Sequence, residues 1–448
     1  MTGTPARPLQ RILGLGFGIA MAFGGTVGVG ILRLPGTLAG ALGDAHLIIL
    51  CWIVGGLYAL LGAVAVAELA AMFPQSGGFY VYAQRAFGNG IGFVVGWCDW
   101  FSTVASLAYA SITAAVFLGA LWPSVHPHPQ VAALAILALF TGLHWFGLRI
   151  GSTVTRLISL SVGLMLLILV LGCFLGAPAA APTLHSAPLT SVASLPLMSM
   201  AMLAAVVPAL RAVLVTYDGW YSPIYLAEEN TNPSSTLPRA IIGGTVLIAA
   251  LYILINIALL RVLPLSVLAH SQLPAADAAR VVWPRGGAEL VTGVSLLTVL
   301  SLVNAVLLML PRILLAIGRD GLFTKKAAHV SAGGTPRLAL CVSSVAGAAL
   351  ILSGTFEQII ALAAVLFLLN YLSAYAAMFV LRTRDPRIAR PYRAFGFPLT
   401  TGVVLVGSLL FMIAAVVDDW HSGFVAAMLL LCCAPIYAWM AHRKRAGK

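Results

Sequence analysis

Glycine is concentrated in the apolar stretch GGTVGVGILRLPG, residues 24–36. Four of the seven residues from Gly24 to Gly30 are glycine, which interrupts helices and allows another group to approach the backbone closely. A helix that breaks in an apolar medium presents free N–H groups where it restarts and free carbonyl oxygens where it stops. Such a break attracts a carboxylate on one side and an ammonium group on the other, which are the two charges of an α-amino acid.

A second interruption lies in AVLVTYDGWYSPIYLAEENTNP, residues 212–233, where Asp218, Gly219 and Pro223 interrupt an apolar segment. Asp218 is a natural cap for a helix that restarts at Trp220. Small residues also let two membrane helices pack closely, so the first stretch alone favours a binding site no more than packing. Broken helices at matching places in two halves of a chain, however, indicate the binding site of a transporter.

The elements that position these breaks are membrane-spanning helices. Of the 448 residues, 61% are hydrophobic and 8% are charged, and the mean hydropathy is +1.01. Because a helix needs about 20 apolar residues to cross the hydrocarbon layer, the sequence predicts an all-α integral membrane protein with about twelve crossings. The approximate ranges are 12–42, 46–72, 91–122, 130–148, 153–176, 197–226, 239–263, 288–316, 337–354, 357–381, 397–417 and 421–441.

The crossings form a single transmembrane domain, residues 1–448, with an internal repeat. Residues 12–176 hold five crossings and residues 197–381 hold the next five, and an odd number inverts the second set relative to the first. Residues 397–441 add two further helices. The first apolar stretch is too long for a cleavable signal peptide and is kept as the first crossing.

The net charge of +12 is explained by membrane orientation. With a cytoplasmic amino terminus, 20 of the 25 basic residues fall in inside loops and tails, including RTRDPRIARPYR and HRKRAGK. This asymmetry places both termini in the cytoplasm and predicts a multi-pass protein of the cytoplasmic membrane. No nucleic-acid partner is needed to account for the charge; the expected partners are membrane lipid and a small-molecule amino acid, with the chain a monomer or a homodimer.

The cysteines and histidines indicate neither disulfides nor a metal site. All six cysteines lie in apolar segments and are expected to be free and buried: Cys51, Cys98, Cys173, Cys341, Cys432 and Cys433. The two histidines of SVHPHPQ, residues 124–130, lack further ligands and are expected in a short outside turn. The run LAAVLFLLNYLSAYAAMFVL, residues 362–381, is typical of ordinary membrane packing.

From near its start through the tenth crossing, the chain resembles the amino acid-polyamine-organocation (APC) family of permeases. GTVGVGI is similar to the Gly-Ser-Gly-Ile break of that family, with Val29 where serine is common. ELAAMFPQSGGFYVYAQRAFG, TYDGWYSPIYLAEENTNPSSTLPRAI and LPRILLAIGRDGLF resemble its second-to-third helix motif, its sixth-helix signature and the cytoplasmic end of its eighth helix. The resemblance implies a leucine-transporter-like fold of five plus five crossings, with helices 1 and 6 broken, that moves amino acids by alternating access.

The resemblance also implies a substrate site at the two breaks. The substrate carboxylate is expected at the backbone amides of Gly28, Val29, Gly30 and Ile31. The amino group is expected at the carbonyls near Phe23, Gly24 and Thr26 and at those of Val215, Thr216 and Asp218. Tyr217 and Trp220 are expected to flank the substrate or to gate it, and Asn304 to reach the pocket wall, although an interhelical hydrogen bond explains Asn304 nearly as well.

The chain departs from the family in its fifth crossing. Many members carry a lysine at the position aligned with Val162, where the amine stands in for a sodium ion, and this segment has no lysine. Exchange, facilitated passage and sodium coupling through Ser301 stay open, and no cofactor is expected beyond a coupling H⁺ or Na⁺. Val29 removes a hydroxyl from the site and favours an apolar or small neutral substrate.

Charged residues within membrane segments are the candidates for gating or coupling. Arg33 and Arg211 are expected on the outer side of the site, where they recognise a carboxylate, pair with Asp44 or extend to the headgroups. Asp99 is a candidate proton relay, with pairing to a basic group such as Arg156 as the favoured alternative.

Three acids near the inner ends of crossings, Glu68, Glu228 and Glu229, are expected to form an inner gate network. Their candidate partners are Arg85, Arg239 and Arg319.

The sequence favours a transporter over an enzyme or a channel. No Ser-His or Cys-His pair shares a depth in the membrane, which argues against an enzyme; a single asymmetric chain with two unlike breaks does not suggest a channel. The predicted function is a permease for a neutral, apolar or small L-amino acid. The alternatives are an exchanger of charged amino acids and an amino acid-binding membrane receptor. Crossings three, four, eight and nine are expected to form a scaffold, and one, two, six and seven a moving bundle.

Overall fold

The computed structural model describes residues 8–176, 200–353 and 356–446, and almost all regular structure in these ranges is helical. The predicted positions 197–199 of the sixth crossing and 354 of the ninth lie outside the described residues. The first half of the chain contains α1 (Leu15–Thr26), α2 (Gly30–Leu42), α3 (Ala45–Met72), α4 (Phe79–Phe87), α5 (Asn89–Leu121), α6 (Pro129–Trp145) and α7 (Leu148–Leu175).

The remainder begins with α8 (Met200–Thr216) and a 3₁₀ helix, Ser222–Glu229. It continues with α9 (Pro233–Val262), α10 (Leu265–His270), α11 (Pro274–Val282), α12 (Gly287–Arg319), α13 (Arg337–Ser353), α14 (Phe356–Arg384), α15 (Leu399–Asp418) and α16 (Trp420–Ala446). Within the described ranges the only β-type pairing is an isolated bridge between Leu13 and Asn230.

The described helices confirm the all-α membrane fold. Seven are long and apolar enough to cross a bilayer, and α1 with α2 forms an eighth crossing that is bent by 44° at its break. The four other predicted crossings correspond to shorter apolar helices, within α6, α8, α13 and α16. Four unbroken crossings, α3, α5, α6 and α7, separate the two broken ones.

Burial separates a core from a lipid-facing periphery. In α12, 72% of the most apolar window is buried inside the protein, whereas in α15 the fraction is 17%. The long helices α3 and α5 pack along α9 and α12, respectively. Lipid is as apolar as the protein interior, so α15 carries apolar residues on the side that faces lipid and on the side that packs. The sequence of α15 therefore predicts a membrane crossing but not which face of the helix packs against the protein.

Short helices occupy two connections for which no structure was predicted. After α3, the turn at Gly77 and Gly78, both with positive φ, leads into α4. A Cβ on Gly78 would lie 2.1 Å from the ring of Tyr225, so this turn also requires glycine for space. Between α9 and α12, the chain forms α10 and α11, which lie against α2.

The thiol prediction is only partly correct. Cys51, Cys98 and Cys173 are free and buried, but Cys341 and Cys433 are partly exposed and Cys432 is exposed. Apolar surroundings indicate lipid or protein equally well, and α16, which carries Cys432, lies at the periphery.

Successive crossings alternate in direction, which defines two ends of the bundle. The amino-terminal end is where α1 and α5 begin and where α3, α12 and α14 finish. The opposite end is where α2 and α5 finish and where α12 and α14 begin.

Candidate functional site

The first break separates α1 from α2 at Val27, Gly28 and Val29. Val27 donates its amide to the carbonyl of Phe23 and closes α1. Among the described residues, no backbone carbonyl accepts from the amides of Gly28, Val29 and Gly30. These three N–H groups at the start of α2 are available to an anion, in agreement with the geometry expected for a carboxylate.

The second break runs from Tyr217 to Tyr221 and is closed by glycine packing. Gly219 has φ +113°, and a Cβ there would lie 2.1 Å from the carbonyl oxygen of Gly25. A Cβ on Gly25 would lie 2.2 Å from the hydroxyl of Ser222. The two breaks therefore touch each other, and a side chain on either glycine would force them apart.

Tyr252 of α9 joins the ends of the two half-helices. Its hydroxyl lies 3.2 Å from the carbonyl oxygen of Thr26 and 3.3 Å from that of Thr216, the last residues of α1 and α8. The ring is buried against Trp52 and Tyr217. One hydroxyl thus contacts both of the carbonyl ends that the breaks leave open.

A central cavity of about 350 Å³ lies at the two breaks, within the size range of small-molecule sites. The broken crossings contribute Gly25, Thr26, Gly28, Val29, Gly30, Arg211, Leu214, Val215, Thr216 and Asp218. The helices α5, α12, α14 and α15 contribute Ala105, Ser106, Tyr109, Val299, Leu302, Ala363, Ala364, Phe367, Leu368, Tyr371, Phe411 and Ala415.

The cavity brings together most of the predicted substrate residues but not all of them. Thr26, Gly28, Val29, Gly30, Val215, Thr216 and Asp218 line it. Gly28 has open space where a Cβ would project, whereas a Cβ on Gly30 would lie 2.9 Å from the methyl group of Thr216.

The remaining predicted substrate residues do not line the central cavity. Phe23 and Ile31 are buried elsewhere, and Gly24 lies against the hydroxyls of Ser301 and Ser159. Tyr217 donates its hydroxyl to the carbonyl of Trp52, and Trp220 stacks on Tyr371; both line a separate cavity of about 40 Å³ beside Asp218. Asn304 donates to Thr155 at 2.7 Å, which is the interhelical hydrogen bond considered as its alternative.

Asp218 does not cap a helix as predicted. The helical structure restarts at Ser222 rather than Trp220, and it restarts as a 3₁₀ helix. The Asp218 carboxylate accepts from the hydroxyl of Tyr371 and, at 3.4 Å, from that of Tyr221. Two tyrosine hydroxyls thus take the place of the backbone amides that a cap would bind.

The two arginines predicted on the outer side have different environments. Arg211 lines the cavity and pairs with Asp418 at the end of α15, close to the ring of Phe411. Arg33 is exposed. Neither pairs with Asp44, which instead caps α3 by accepting from the amide of Leu47.

Asp99 is fully buried but does not pair with Arg156 as favoured from the sequence. It accepts from the hydroxyl of Tyr225 and the side-chain amide of Asn370. Arg156 is one of the exposed residues of α7 and lies beside the carbonyl of Ser152.

The three acids at the amino-terminal end are all paired, but only one has a predicted partner. Glu228 pairs with Arg319 at 2.7 Å. Glu229 makes a buried two-contact pair with Arg312. Glu68 accepts from Arg382 at 2.5 Å rather than from any predicted arginine.

Glu68 has two further partners: Arg390 lies 3.2 Å from its carboxylate, and the backbone amide of Ala394 donates to the same carboxylate. The segment after α14 folds back over the end of α3, a contact that crosses more than 300 residues and leaves no local pattern in the sequence.

Tyr371, Tyr252 and Arg312 are functional candidates that the sequence did not reveal. Tyr371 lies in the run interpreted as ordinary packing, yet it contacts Asp218 and lines the cavity. The sequence contained one signal for Tyr371: a hydroxyl group in an otherwise apolar helix, which requires a hydrogen-bond partner when it is buried.

Comparison with known proteins agrees with this arrangement. Residues 18–418 match the family model described as amino acid permease. The chain is 25% identical over 447 residues to the serine/threonine exchanger SteT of Bacillus subtilis, covering 97% of this chain and 98% of the relative.

It is also 26% identical over 416 residues to the mouse b(0,+)-type amino acid transporter 1, covering 91% of this chain and 82% of that protein. An uncharacterized transporter of Mycobacterium tuberculosis is 28% identical over 312 residues, 70% of this chain and 67% of the relative. With a family match that spans most of the sequence and a helix break at each wall of one cavity, this chain belongs to the amino acid permease family of the APC superfamily.

Proposed function

We propose that the protein is a secondary transporter that moves a neutral L-amino acid across the cytoplasmic membrane by alternating access. The observation that carries the proposal is the meeting of two helix breaks at one cavity of about 350 Å³. The free amides of Gly28, Val29 and Gly30 supply the site for a carboxylate, and they lie in the same cavity wall as Asp218.

An α-amino acid fits this site at both of its charges. Its carboxylate receives hydrogen bonds from the start of α2, where the helix dipole also favours negative charge. Its ammonium group lies toward the end of α8, where the carbonyl of Thr216 and the carboxylate of Asp218 accept. In a low-dielectric cavity these charge-assisted hydrogen bonds are stronger than in water.

The rest of the wall favours a neutral side chain. Val29, Val215, Leu214, Val299 and Leu302 present apolar surface, and Ser106 and Thr216 add hydroxyl groups. A small side chain, apolar or hydroxylated, fits such a lining. The similarity to a serine/threonine exchanger supports the same substrate class.

Two charged groups in the wall support a second candidate, exchange of charged amino acids. Asp218 presents a carboxylate to the cavity and Arg211 presents a guanidinium, although each already has a partner. A substrate with a charged side chain would have to displace Tyr371 or Asp418 from its contact. The neutral class is preferred because it leaves both contacts intact.

The conformation supports alternating access with the amino-terminal end closed. The cavity lies in the opposite half of α14 and α15, whereas the pairs of Glu68, Glu228 and Glu229 hold the amino-terminal end together. If the basic loops are cytoplasmic, as the positive-inside rule predicts, the cavity faces outward and these pairs form the inner gate.

Transport by purified protein in sealed vesicles tests the function. We expect vesicles loaded with an unlabelled amino acid to take up the same labelled amino acid, with L-serine, L-threonine, L-alanine, L-leucine, L-arginine and L-glutamate as the panel. Uptake of neutral members supports the proposal, and uptake of arginine or glutamate alone supports the second candidate. Thermal stabilisation by an amino acid without any uptake would identify a receptor and overturn the proposal.

A further inference from the structure

Asp99 is a buried carboxyl group that substrate binding does not use. It lies in the amino-terminal third of α5 with no exposed surface. The hydroxyl of Tyr225 donates to its Oδ1 at 2.8 Å, and the side-chain amide of Asn370 donates to the same oxygen at 3.2 Å. Its Oδ2 is buried and has no hydrogen-bond partner among the described residues.

No cation balances this carboxyl group in the part of the chain that the structure describes. None of the ion pairs there includes Asp99. The buried guanidinium of Arg312 on the neighbouring α12 is engaged by Glu229. Burying an unpaired carboxylate costs far more than burying the neutral acid, so the bare Oδ2 is the natural place for a proton.

The titratable groups that interact directly with Asp99 are another carboxyl group, tyrosine hydroxyls and a thiol. The second broken crossing contributes Asp218, Tyr221 and Tyr225, and α5 itself contributes Cys98. The packed helices α4, α6, α13, α14 and α16 carry Tyr80, Tyr82, Arg85, His144, Arg337, Cys341, Tyr371, Tyr375, Arg382, Arg384, Cys433 and Tyr437. The arginines of this set lie near the ends of their helices, where Arg382 and Arg384 have partners of their own.

Two tyrosines connect Asp99 with the cavity. Tyr225 donates to Asp99, and Tyr221 donates to Asp218, which lines the cavity. Their ring centroids lie 6.2 Å apart. The substrate-facing carboxyl group and the buried one are therefore separated by two hydroxyl-bearing side chains.

We propose that Asp99 and Asp218 together hold one proton and that amino acid transport is coupled to its passage. This rests on the proposed function. Two carboxyl groups in one low-dielectric region do not both ionise readily, so they share a proton. A substrate ammonium group beside Asp218 favours the carboxylate there and leaves the proton on Asp99.

The step breaks one O–H bond and forms another. From water in the cavity a proton binds a carboxylate oxygen of Asp218. When the substrate arrives, that O–H bond breaks and an O–H bond forms at Oδ1 of Asp99, the oxygen that Tyr225 contacts; rotation of the Asp99 carboxyl group then exchanges its two oxygens. The hydroxyls of Tyr221 and Tyr225 mediate the transfer, each giving up one proton and receiving one. Once the amino-terminal end opens, substrate and proton leave to the same side, one proton for each amino acid.

Two transport measurements on the same vesicles test the proposal. Exchange at equal pH, with the panel amino acid that exchanges fastest, reports substrate binding and conformational change. Accumulation against a pH gradient of about one unit, acid on the side opposite the termini, reports coupling. We expect wild-type protein to accumulate substrate up to about tenfold, since a tenfold ratio corresponds to about 1.4 kcal/mol, and a proton ionophore to abolish the accumulation.

The variant Asp99→Asn should keep exchange and lose the accumulation, because an amide cannot carry the proton. Asp277→Asn, the same change in a surface ion pair of α11, should keep both. Wild-type exchange without accumulation would overturn the proton assignment and leave the transporter function standing, whereas no exchange of any amino acid would overturn both. Accumulation that survives in Asp99→Asn would also overturn it.

Infrared spectroscopy tests the proton without any transport. A buried protonated carboxyl group gives a carbonyl stretching band that shifts in D₂O. We expect this band in wild-type protein with the amino acid bound, when the proton is on Asp99, and its loss in amino acid-bound Asp99→Asn but not in Asp277→Asn. A wild-type spectrum without the band would overturn the proposal even if Asp99→Asn did not fold.

Discussion

Gly28 is the residue at which substrate binding and protein folding separate most clearly. A Cβ at Gly28 meets only open space, with the carbonyl oxygen of Thr26 at 4.0 Å, and the residue lines the cavity. We expect Gly28→Leu to fill part of the cavity and to weaken amino acid binding by at least about tenfold, equivalent to about 1.4 kcal/mol. The measurement is binding of a labelled amino acid to purified protein, alongside thermal unfolding in detergent.

Gly142→Leu is the matched control for this prediction. Gly142 lies on α6, and no atom lies within 4 Å of its Cβ position. Both variants should unfold near the wild-type temperature, but only Gly28→Leu should lose binding. Unchanged binding in Gly28→Leu would show that the substrate does not approach this break.

Residue types predicted the backbone part of the site better than the side-chain part. A cluster of glycines in one crossing and Asp218 with Gly219 and Pro223 in another are unusual together, so the break positions were visible in the sequence. The directions of Tyr217 and Trp220 were not, because a break changes the helical phase and rotates the residues within it. The hydroxyl of Tyr217 consequently contacts the carbonyl of Trp52, and the side chain does not line the central cavity. Whether substrate contacts the lining residues stays a prediction.

Tyr252 of α9 contacts both broken crossings. The hydroxyl of Tyr252 lies within hydrogen-bond distance of the last carbonyls of both α1 and α8. We expect Tyr252→Phe to lower the free energy of unfolding by about 1–3 kcal/mol, the cost of leaving a buried acceptor unpaired. Transport should fall roughly tenfold because the carbonyl ends of the two half-helices no longer share this hydroxyl.

Tyr58→Phe provides the comparison. Its hydroxyl joins α3 to α15 through Val404 and Ser408, away from both breaks. We expect a similar loss of stability with transport retained. If the two variants lose transport equally, Tyr252 has only a structural role.

The 3₁₀ helix after the second break is held by a buried ion pair. Arg312 of α12 and Glu229 have side-chain exposures of 2% and 0%. Removing one partner leaves the other charge buried, so Glu229→Gln should destabilise the protein by about 3–5 kcal/mol. Asp277→Asn, which breaks an exposed pair, should cost no more than about 1 kcal/mol. Equal melting temperatures for the two variants would contradict this.

At the scale of elements, the existence of the crossings followed from their length and hydropathy. The details that differ have local causes. Ser222–Glu229 forms a 3₁₀ helix where an α-helix was expected, and tertiary contacts hold it: Leu13 pairs with Asn230, and Arg312 with Glu229. Neither contact has a signature in the local sequence. The boundaries of the two predicted repeats stay predictions.

The central cavity and the ion pairs of Glu68, Glu228 and Glu229 lie toward opposite ends of the molecule. Residues of the central cavity on α14 and α15 lie in the half nearer the opposite end, whereas the amino-terminal end is closed by pairs between distant segments. Glu68 on α3 pairs with Arg382 near the end of α14 and with Arg390 in the segment after it, and Glu228 pairs with Arg319 of α12. These pairs must separate for substrate to leave at that end.

Weakening the closed end should therefore reverse the accessibility of the cavity. With the substitution Ser106→Cys in the cavity wall, and the native cysteines replaced, a membrane-impermeant maleimide should label the protein from the opposite side. Glu68→Gln with Glu228→Gln removes the charge of both acids. Of the arginines that lose a carboxylate, Arg390 is the buried one, with its side chain 5% exposed. Breaking a buried pair costs about 3–5 kcal/mol, and a shift of that size moves most of the population to the other conformation.

We expect labelling from the opposite side to fall more than tenfold and labelling from the amino-terminal side to rise, while Asp277→Asn in the same background changes neither. Excess amino acid should protect the introduced thiol in every variant, which links the labelled position to the substrate site. Labelling from the opposite side that stays at the level of the control would mean that these ion pairs stabilise the fold without closing a gate, and the alternating-access assignment of the amino-terminal end would have to be abandoned.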